Sequence, residues 1–211
     1  MPAARKVVTR SPHRRVGLIA CPWFQPTPIE YESLLERDFV RLALLDLRFS
    51  SIAHQPFSLD LEEFGTYFPD FLLVGPDKKV VVEVKPDVRA RDDRNKPRLA
   101  CAQRLLQEKG FQFVVATDKQ IHRGKRHVRA SVLLRHARSH VSSGITERVL
   151  TAASHFPAGT TIRHLACEAS APVETVLHLV GRRRLRINTA FDFDEAQLVY
   201  PVGGVDVDLH A

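Results

Sequence analysis

Residues 66–86 read TYFPDFLLVGPDKKVVVEVKP, two apolar runs separated by Gly75-Pro76-Asp77-Lys78. Pro76 presets φ to about −65°, the value that the first central position of a tight turn requires. The stretch predicts an antiparallel hairpin, residues 66–74 against 79–85. With Pro76 and Asp77 at the turn centre, Asp70 lies opposite Glu83 and Phe68 opposite Lys85. The two-residue side-chain period puts Phe68, Asp70, Leu72, Val74, Val81, Glu83 and Lys85 on one face. Phe71, Leu73, Val80, Val82 and Val84 take the other. Both faces are apolar, which predicts a sheet covered on both sides.

Asp70, Glu83 and Lys85 therefore meet in a hydrophobic setting. Carboxylates directly opposite on a sheet have Cβ atoms about 5 Å apart and repel. Left unpaired and buried, they are costly or take up protons. Two arrangements relieve this. One is a carboxylate–lysine ion pair at a strand end near solvent. The other is a divalent cation between Asp70 and Glu83, and oxygen ligands suit Mg²⁺. Pro-Asp, then a strand, then Glu-x-Lys is a nuclease signature, which favours the cation.

The rest of the composition is compatible with that chemistry. The chain has 211 residues, 44% of them hydrophobic, enough for one large domain or a domain plus a small module. A net charge of +7 suggests a polyanionic partner. Residues 119–143 hold no acid but carry Lys119, Arg123, Lys125, Arg126, Arg129, Arg135 and Arg138. Residues 145–211 reverse the balance, with six Arg against eight Asp and Glu. The basic half is the expected phosphate-facing half. Cys21, Cys101 and Cys167 form neither a disulfide framework nor a zinc motif, and a reducing cytoplasm fits. No apolar run is long enough for a membrane span, and no secretory signal is evident.

Working outward, residues 1–29 contain Pro2, Pro12, Pro22, Pro26 and Pro28 and read as an extended arm, basic through Arg5, Lys6, Arg10, Arg14 and Arg15. Residues 29–48 read as a helix, with Tyr31, Leu34, Leu35, Leu42 and Leu45 in one apolar stripe and Arg37, Arg41 and Arg48 toward solvent. Glu36 projects away from that Arg ridge. Asp38 does so too, and Glu32 lies close to Glu36, so the helix by itself singles out none of the three as an inward ligand. A strand at 51–59 with Pro56 at an edge or bulge comes before the hairpin. A charged loop at 87–97, a helix at 98–109 ended by Gly110, and a strand at 111–117 follow it. The order is αβββαβ. Gln103 reads as a plain surface residue.

Residues 119–143 predict a basic helix over about 128–140, with DNA-backbone contacts from Arg123, Lys125, Arg126, Arg129 and Arg135. His122, His127, His136 and His140 have no convincing ligand spacing. Residues 145–201 predict three helices, 145–155, 160–167 and 172–182, and a short hairpin of 184–188 with 197–201. The third helix is expected to expose Glu174, Thr175 and His178, a poor set for phosphate contact, while Arg182, Arg183, Arg184 and Arg186 sit near the hairpin. Both DNA recognition and protein docking stay open for this module.

This order, with Glu36, Asp70 and Glu83-Val84-Lys85, resembles the core of the PD-(D/E)xK restriction-endonuclease-like superfamily. ESLLERDF at 32–39, QPF at 55–57, FPDF at 68–71, EVKP at 83–86 and FVVATDKQI at 113–121 are more closely similar to the TnsA family of transposon endonucleases, over roughly residues 28–125. The resemblance implies Glu36, Asp70, Glu83 and Lys85 as catalytic residues, choosing Glu36 over Glu32 and Asp38. Family members can carry Gln at the third acidic position, where this chain has Glu83. Asp70, Glu83 and the Val84 carbonyl would hold Mg²⁺ (or Mn²⁺), with Glu36 completing that site or a second one. The implied fold is an α/β, restriction-endonuclease-like core with a small C-terminal winged-helix-like domain. Its parts would be an arm at 1–29, a nuclease domain at 30–143, the winged-helix-like domain at 144–202 and an acidic tail at 203–211. The implied activity is 5′-strand cleavage of DNA at transposon ends beside a TnsB-like transposase and a TnsC-like ATPase. A stand-alone nuclease of restriction, repair or recombination is the alternative. A catalytically inactive DNA- or partner-binding protein is a third, against which the intact Glu36, Asp70, Glu83, Lys85 set speaks.

Overall fold

The computed structural model describes residues 15–203, which form a mixed α/β structure of two compact units, the first ending at Arg123 and the second beginning at Gly124. Arg5, Lys6, Arg10 and Arg14 of the expected arm, and residues 204–211 of the expected tail, lie outside the described residues.

Strands β1 (Gly17–Ile19) and β2 (Ile29–Tyr31) open the first unit as an antiparallel pair. Helix α1 (Leu34–Leu45) follows, then β3 (Ser51–His54), β4 (Leu59–Asp60), β5 (Thr66–Tyr67), β6 (Phe71–Val74) and β7 (Lys79–Lys85). A short helix α2 (Asp87–Ala90), helix α3 (Lys96–Glu108), strand β8 (Gln112–Thr117) and a short helix α4 (Asp118–Ile121) complete it. The central sheet runs β3-β6-β7-β8, antiparallel except for the parallel β7–β8 pair. Phe71 pairs with Val82 and Val74 with Lys79, the register expected from the Pro76-Asp77 turn, and the Gly75 N–H donates to the Lys78 carbonyl at 2.9 Å.

The first hairpin strand is shorter than its apolar run. Residues 66 and 67 leave the sheet and pair instead with β4, so Phe68 does not face Lys85 in a ladder. Pro69 accounts for the break: it has no N–H to give to a ladder, and β6 starts only beyond it. Both faces of the sheet are covered, as the alternation predicted. Leu72 and Val81 pack with Ala102 and Leu106 of α3, Leu61 and Tyr67. On the other side, Phe39 of α1 meets Phe71 with ring centroids 5.5 Å apart.

Three local expectations change. Helix α1 starts at Leu34 because Ser33 caps it, its Oγ accepting the Glu36 N–H, and residues 29–31 are strand instead. The proline-rich stretch is not an extended arm over its described part: Cys21 and Ile29 are buried, and the Gln25 carboxamide bonds both the Ile52 N–H (2.9 Å) and the Ile52 carbonyl (3.1 Å). That side chain covers the backbone of edge strand β3, a protection an outer strand needs. The loop expected over 87–97 holds α2 and the first two residues of α3, with Pro97 at a helix start where its missing N–H costs nothing.

The second unit consists of α5 (Arg126–His136), α6 (Ser143–Ser154), β9 (Thr160–Thr161), α7 (Ile162–Glu168), α8 (Val173–Gly181), β10 (Leu185–Arg186) and β11 (Leu198–Pro201), with sheet order β10-β11-β9. The basic helix α5 belongs to this unit and starts and ends earlier than the 128–140 expected. The exposure expected for α8 is overturned: Thr175 and His178 are buried at 5% and 6%, and only Glu174 of that trio reaches solvent. Helix α5 is the reason. His178 Nδ1 lies 3.0 Å from the His136 carbonyl, and Arg182 Nε donates to the Ala137 carbonyl at 2.7 Å. The helices approach so closely at Gly181 that a Cβ there would lie 2.4 Å from the Leu133 carbonyl oxygen and 2.8 Å from the Ala137 Cβ.

Gly181→Ala is accordingly predicted to destabilise the second unit by about 1–3 kcal/mol, read as a lower denaturant midpoint with an unchanged m-value. A midpoint equal to that of the unaltered protein would show that α5 and α8 do not meet there.

Candidate active site

The break before β6 creates the site. With the ladder interrupted at Pro69, Asp70 is no longer a regular strand residue. Its carbonyl accepts the Gln55 N–H at 2.9 Å, and its Oδ2 accepts the Val84 N–H at 2.7 Å. In an extended strand the N–H and C=O of one residue point to the same edge. The Val84 carbonyl therefore faces the edge where Asp70 stands.

Glu83 is 7% exposed and held at both oxygens. Its Oε1 is 2.6 Å from Lys85 Nζ, and its Oε2 accepts the Tyr67 hydroxyl at 2.7 Å. Glu36 enters from the first turn of α1, where its Oε2 accepts the Glu32 N–H (2.7 Å) and its Oε1 the Ser33 hydroxyl (2.8 Å). These bonds are a helix-capping arrangement that also fixes where the carboxylate stands.

The electrostatics tie the three acids together. Burial pushes the Asp70 carboxyl well above its ordinary value, and the charges of Glu83 and then Glu36 push it further. The Val84 N–H and Lys85 act in the opposite direction. Glu36 is likewise raised, chiefly by burial, against the lowering effect of its bonds to Glu32 and Ser33. Burial first, then the Glu83 charge, keeps the Tyr67 phenol protonated far above its usual range. Such clustering of perturbed carboxyls is a mark of a functional site.

Both arrangements weighed from the sequence bear on this geometry. The carboxylate–lysine pair exists, between Glu83 and Lys85. One lysine does not balance three acids, however, and none of the ion pairs among the described residues includes Asp70. A cluster of hard oxygen donors with uncompensated negative charge is what a small divalent cation fits.

The neighbours of Glu36 on α1 have other engagements. Asp38 is buried and bonds Arg37 (2.8 Å) and Arg41 (3.2 Å), with His122 Nε2 at 3.3 Å. Those arginines fold onto Asp38 instead of standing in solvent. Glu32 Oε1 receives the Gln55 carboxamide at 3.4 Å. Sequence reasoning missed two residues here. Gln55 is buried with φ 37°, a left-handed conformation few side chains adopt, and its Oε1 has no partner among the described residues. Tyr67 was hidden because strand alternation counted through Pro69 puts it on the face away from Asp70. Only the ladder break brings it to Glu83.

The predicted DNA-contact residues separate into two groups. Arg123, Lys125 and Arg135 are exposed. Arg129 instead donates to the Ala190 carbonyl at 2.7 Å and pairs with Asp192 at 3.2 Å, and Arg126 is half-buried. Lys119 is held by Asp87 at 2.6 Å, which lowers the Asp87 carboxyl. Gln103 is a surface residue, as expected.

Residues 47–118 match the family model of the TnsA-like endonuclease N-terminal domain. This part of the chain is similar to the TnsA-like endonuclease N-terminal domain. The match takes in Asp70, Glu83 and Lys85, while Glu36 precedes it. It implies a nuclease, with DNA as its substrate. A comparison with curated proteins finds no match. Among the described residues no helix is long and apolar enough to cross a membrane.

The raised Asp70 carboxyl makes a prediction about the metal-free protein. An unfolded Asp titrates near 3.8 and the folded one higher, so the native state holds the extra proton between those values. Stability from this group is fully present below about 3.8 and is lost as pH rises through the folded value. Asp70→Asn should therefore stabilise the metal-free protein at about pH 7.5 and flatten its loss of stability with rising pH. Thermal melts in a chelator across pH test this; an unchanged slope would show that Asp70 is not held protonated.

Proposed function

We propose that this protein is a metal-dependent DNA endonuclease that hydrolyses phosphodiester bonds at transposon ends, cleaving the 5′ strands as the TnsA-like subunit of a heteromeric transposase. The observation that carries the reading is the convergence of Asp70, Glu83 and Glu36, with Lys85, in a segment that largely coincides with the endonuclease-family match. TnsB-like and TnsC-like partners enter through that family likeness.

Asp70, Glu83 and the Val84 carbonyl would hold Mg²⁺ (or Mn²⁺), with Glu36 beside them. The ion would supply Lewis-acid polarisation of the scissile phosphate and a bound water of lowered pKa. The chain's own residues do the rest. Burial of Asp70 and Glu83 keeps bulk water away and strengthens every charge interaction in the site. The Val84 N–H fixes Asp70, and Ser33 and the Glu32 N–H fix Glu36, so the donors are pre-positioned. Lys85, released from Glu83, would set its ammonium beside the reacting phosphate to orient the attacking water and offset charge in the transition state.

After α5 the second unit follows the order helix, strand, two helices, two strands, with the first strand next to the last, which supports a winged-helix-like domain. Its third helix α8 lies under α5, which favours partner docking over groove reading for this module. Arg123, Lys125 and Arg135 are the exposed candidates for phosphate contact.

Asp70→Ala and Lys85→Ala are each expected to lower divalent-metal-dependent cleavage of a transposon-end duplex by about 10³-fold or more, with DNA affinity within about 2-fold. The assay is run with and without a TnsB-like transposase, because the family likeness implies activity within a complex. Undiminished cutting by either variant would overturn the site. Lys125→Ala with Arg135→Ala should weaken binding to all sequences alike and reduce the salt dependence of log K by about 1–2 units; an unchanged slope would remove α5 from the DNA surface.

A further inference from the structure

Tyr67 holds a position that nothing in the nuclease signature requires. It is 4% exposed, packed among Leu59, Leu61, Leu72 and Val81, and its hydroxyl meets Glu83 Oε2 at 2.7 Å. A buried carboxylate with a protonated phenol on one oxygen has a fixed side-chain torsion, because turning it would break a bond that water does not replace. The phenol is itself fixed. The Arg98 guanidinium lies 5.6 Å from its ring centroid, and the same arginine donates to the Thr66 carbonyl at 3.2 Å. Pro69 follows two residues later and keeps residues 66–67 in their own small ladder with β4. The other Glu83 oxygen is held differently. Its partner is Lys85, a flexible ammonium on a side chain still 24% exposed.

We propose that Tyr67 is a positioning residue of the cation site: its hydroxyl anchors Glu83 through Oε2, so that Oε1, now on Lys85, is the oxygen a divalent cation takes. The inference rests on the metal-dependent reading above. Its chemical content is an exchange at one atom. With a cation on Oε1, the Lys85 ammonium would lose its partner and be available to the reacting phosphate, while the Tyr67 hydrogen bond would stay in place. Without that anchor the carboxylate is free to turn with the lysine and keep it, and the cation must compete for both oxygens. Tyr67 touches neither substrate nor metal; it acts through Glu83.

The test uses the full chain, Mn²⁺ as probe, and Tyr67→Phe, which keeps the ring in the core and under Arg98 and deletes only the hydroxyl. Calorimetric titration without DNA is expected to show Mn²⁺ binding about 5- to 50-fold weaker in Tyr67→Phe, with melting in a chelator lowered by no more than the loss of one buried hydrogen bond. The Mn²⁺ concentration for half-maximal cleavage should rise by a similar factor, and cleavage at saturating Mn²⁺ should largely recover. A merely structural role would lower the chelator melt and leave the Mn²⁺ affinity alone. Equal Mn²⁺ affinity in the two proteins overturns the proposal. Asp70→Ala separates the two levels: if the unaltered protein and Asp70→Ala bind Mn²⁺ alike, or neither binds it, the metal site itself fails and the proposal with it. A second measurement needs no variant. With tyrosine labelled at Cζ, Mg²⁺ should shift the Tyr67 resonance with the midpoint of metal binding and leave that of Tyr200 in the second unit unmoved. A Tyr67 signal insensitive to saturating, bound Mg²⁺ is the contrary result.

Discussion

Three carboxylates and one lysine gathered in a largely apolar setting are the constraint on which the first unit depends. The charges of Glu83 and Glu36 raise the cost of ionising Asp70, Glu83 adds to that of Glu36, and the single ion pair at Glu83 leaves that imbalance standing. A fold keeps such a cluster only if the rest of its packing is secure. The sheet supplies that security. Covered by α1 on one face and α3 on the other, it fixes β7 between β6 and β8, and β7 carries Glu83, Val84 and Lys85 in succession. Local destabilisation retained inside a well-packed frame is what a functional site looks like energetically.

The site also shows how one proline can create chemistry. Were residues 66–74 a continuous strand, the Asp70 and Val84 backbones would be satisfied by the ladder and Tyr67 would point away. Pro69 ends the pairing, which frees the Val84 N–H to hold Asp70 Oδ2 and sends Tyr67 to Glu83. The strained Gln55 backbone makes the matching break on the neighbouring strand, giving its N–H to the Asp70 carbonyl. Two irregular points on adjacent strands thus open the space in which the acids meet. That is the ordinary way irregular backbone serves an active site.

Much of this was legible in the sequence, for physical reasons that can be named. The hairpin register followed from Gly75-Pro76-Asp77-Lys78, because turn geometry and the two-residue period leave little freedom. The two-sided burial followed from valines at consecutive positions. Glu36 could not be chosen over Asp38 from helical spacing alone. Arg37 and Arg41 bend back onto Asp38, and side-chain rotamers are invisible to periodicity. The burial of Thr175 and His178 was illegible for a related reason. An amphipathic count shows which face of α8 is polar, but not that α5 covers it, its terminal carbonyls meeting His178 and accepting from Arg182. Pro22, Pro26 and Pro28 suggested an extended arm, yet proline excludes ladder donation only at its own position, and β1 and β2 form on either side of these residues.

The central claim is that a divalent cation resolves the charge imbalance at the hairpin. The most direct measurement is a crystal structure grown with Mn²⁺ and read by its anomalous signal. A peak about 2.0–2.4 Å from oxygens of Asp70 and Glu83, with Lys85 Nζ moved off Glu83 Oε1, is the predicted result. Saturating Mn²⁺ with no peak at these carboxylates, and the Lys85–Glu83 pair intact, would contradict it.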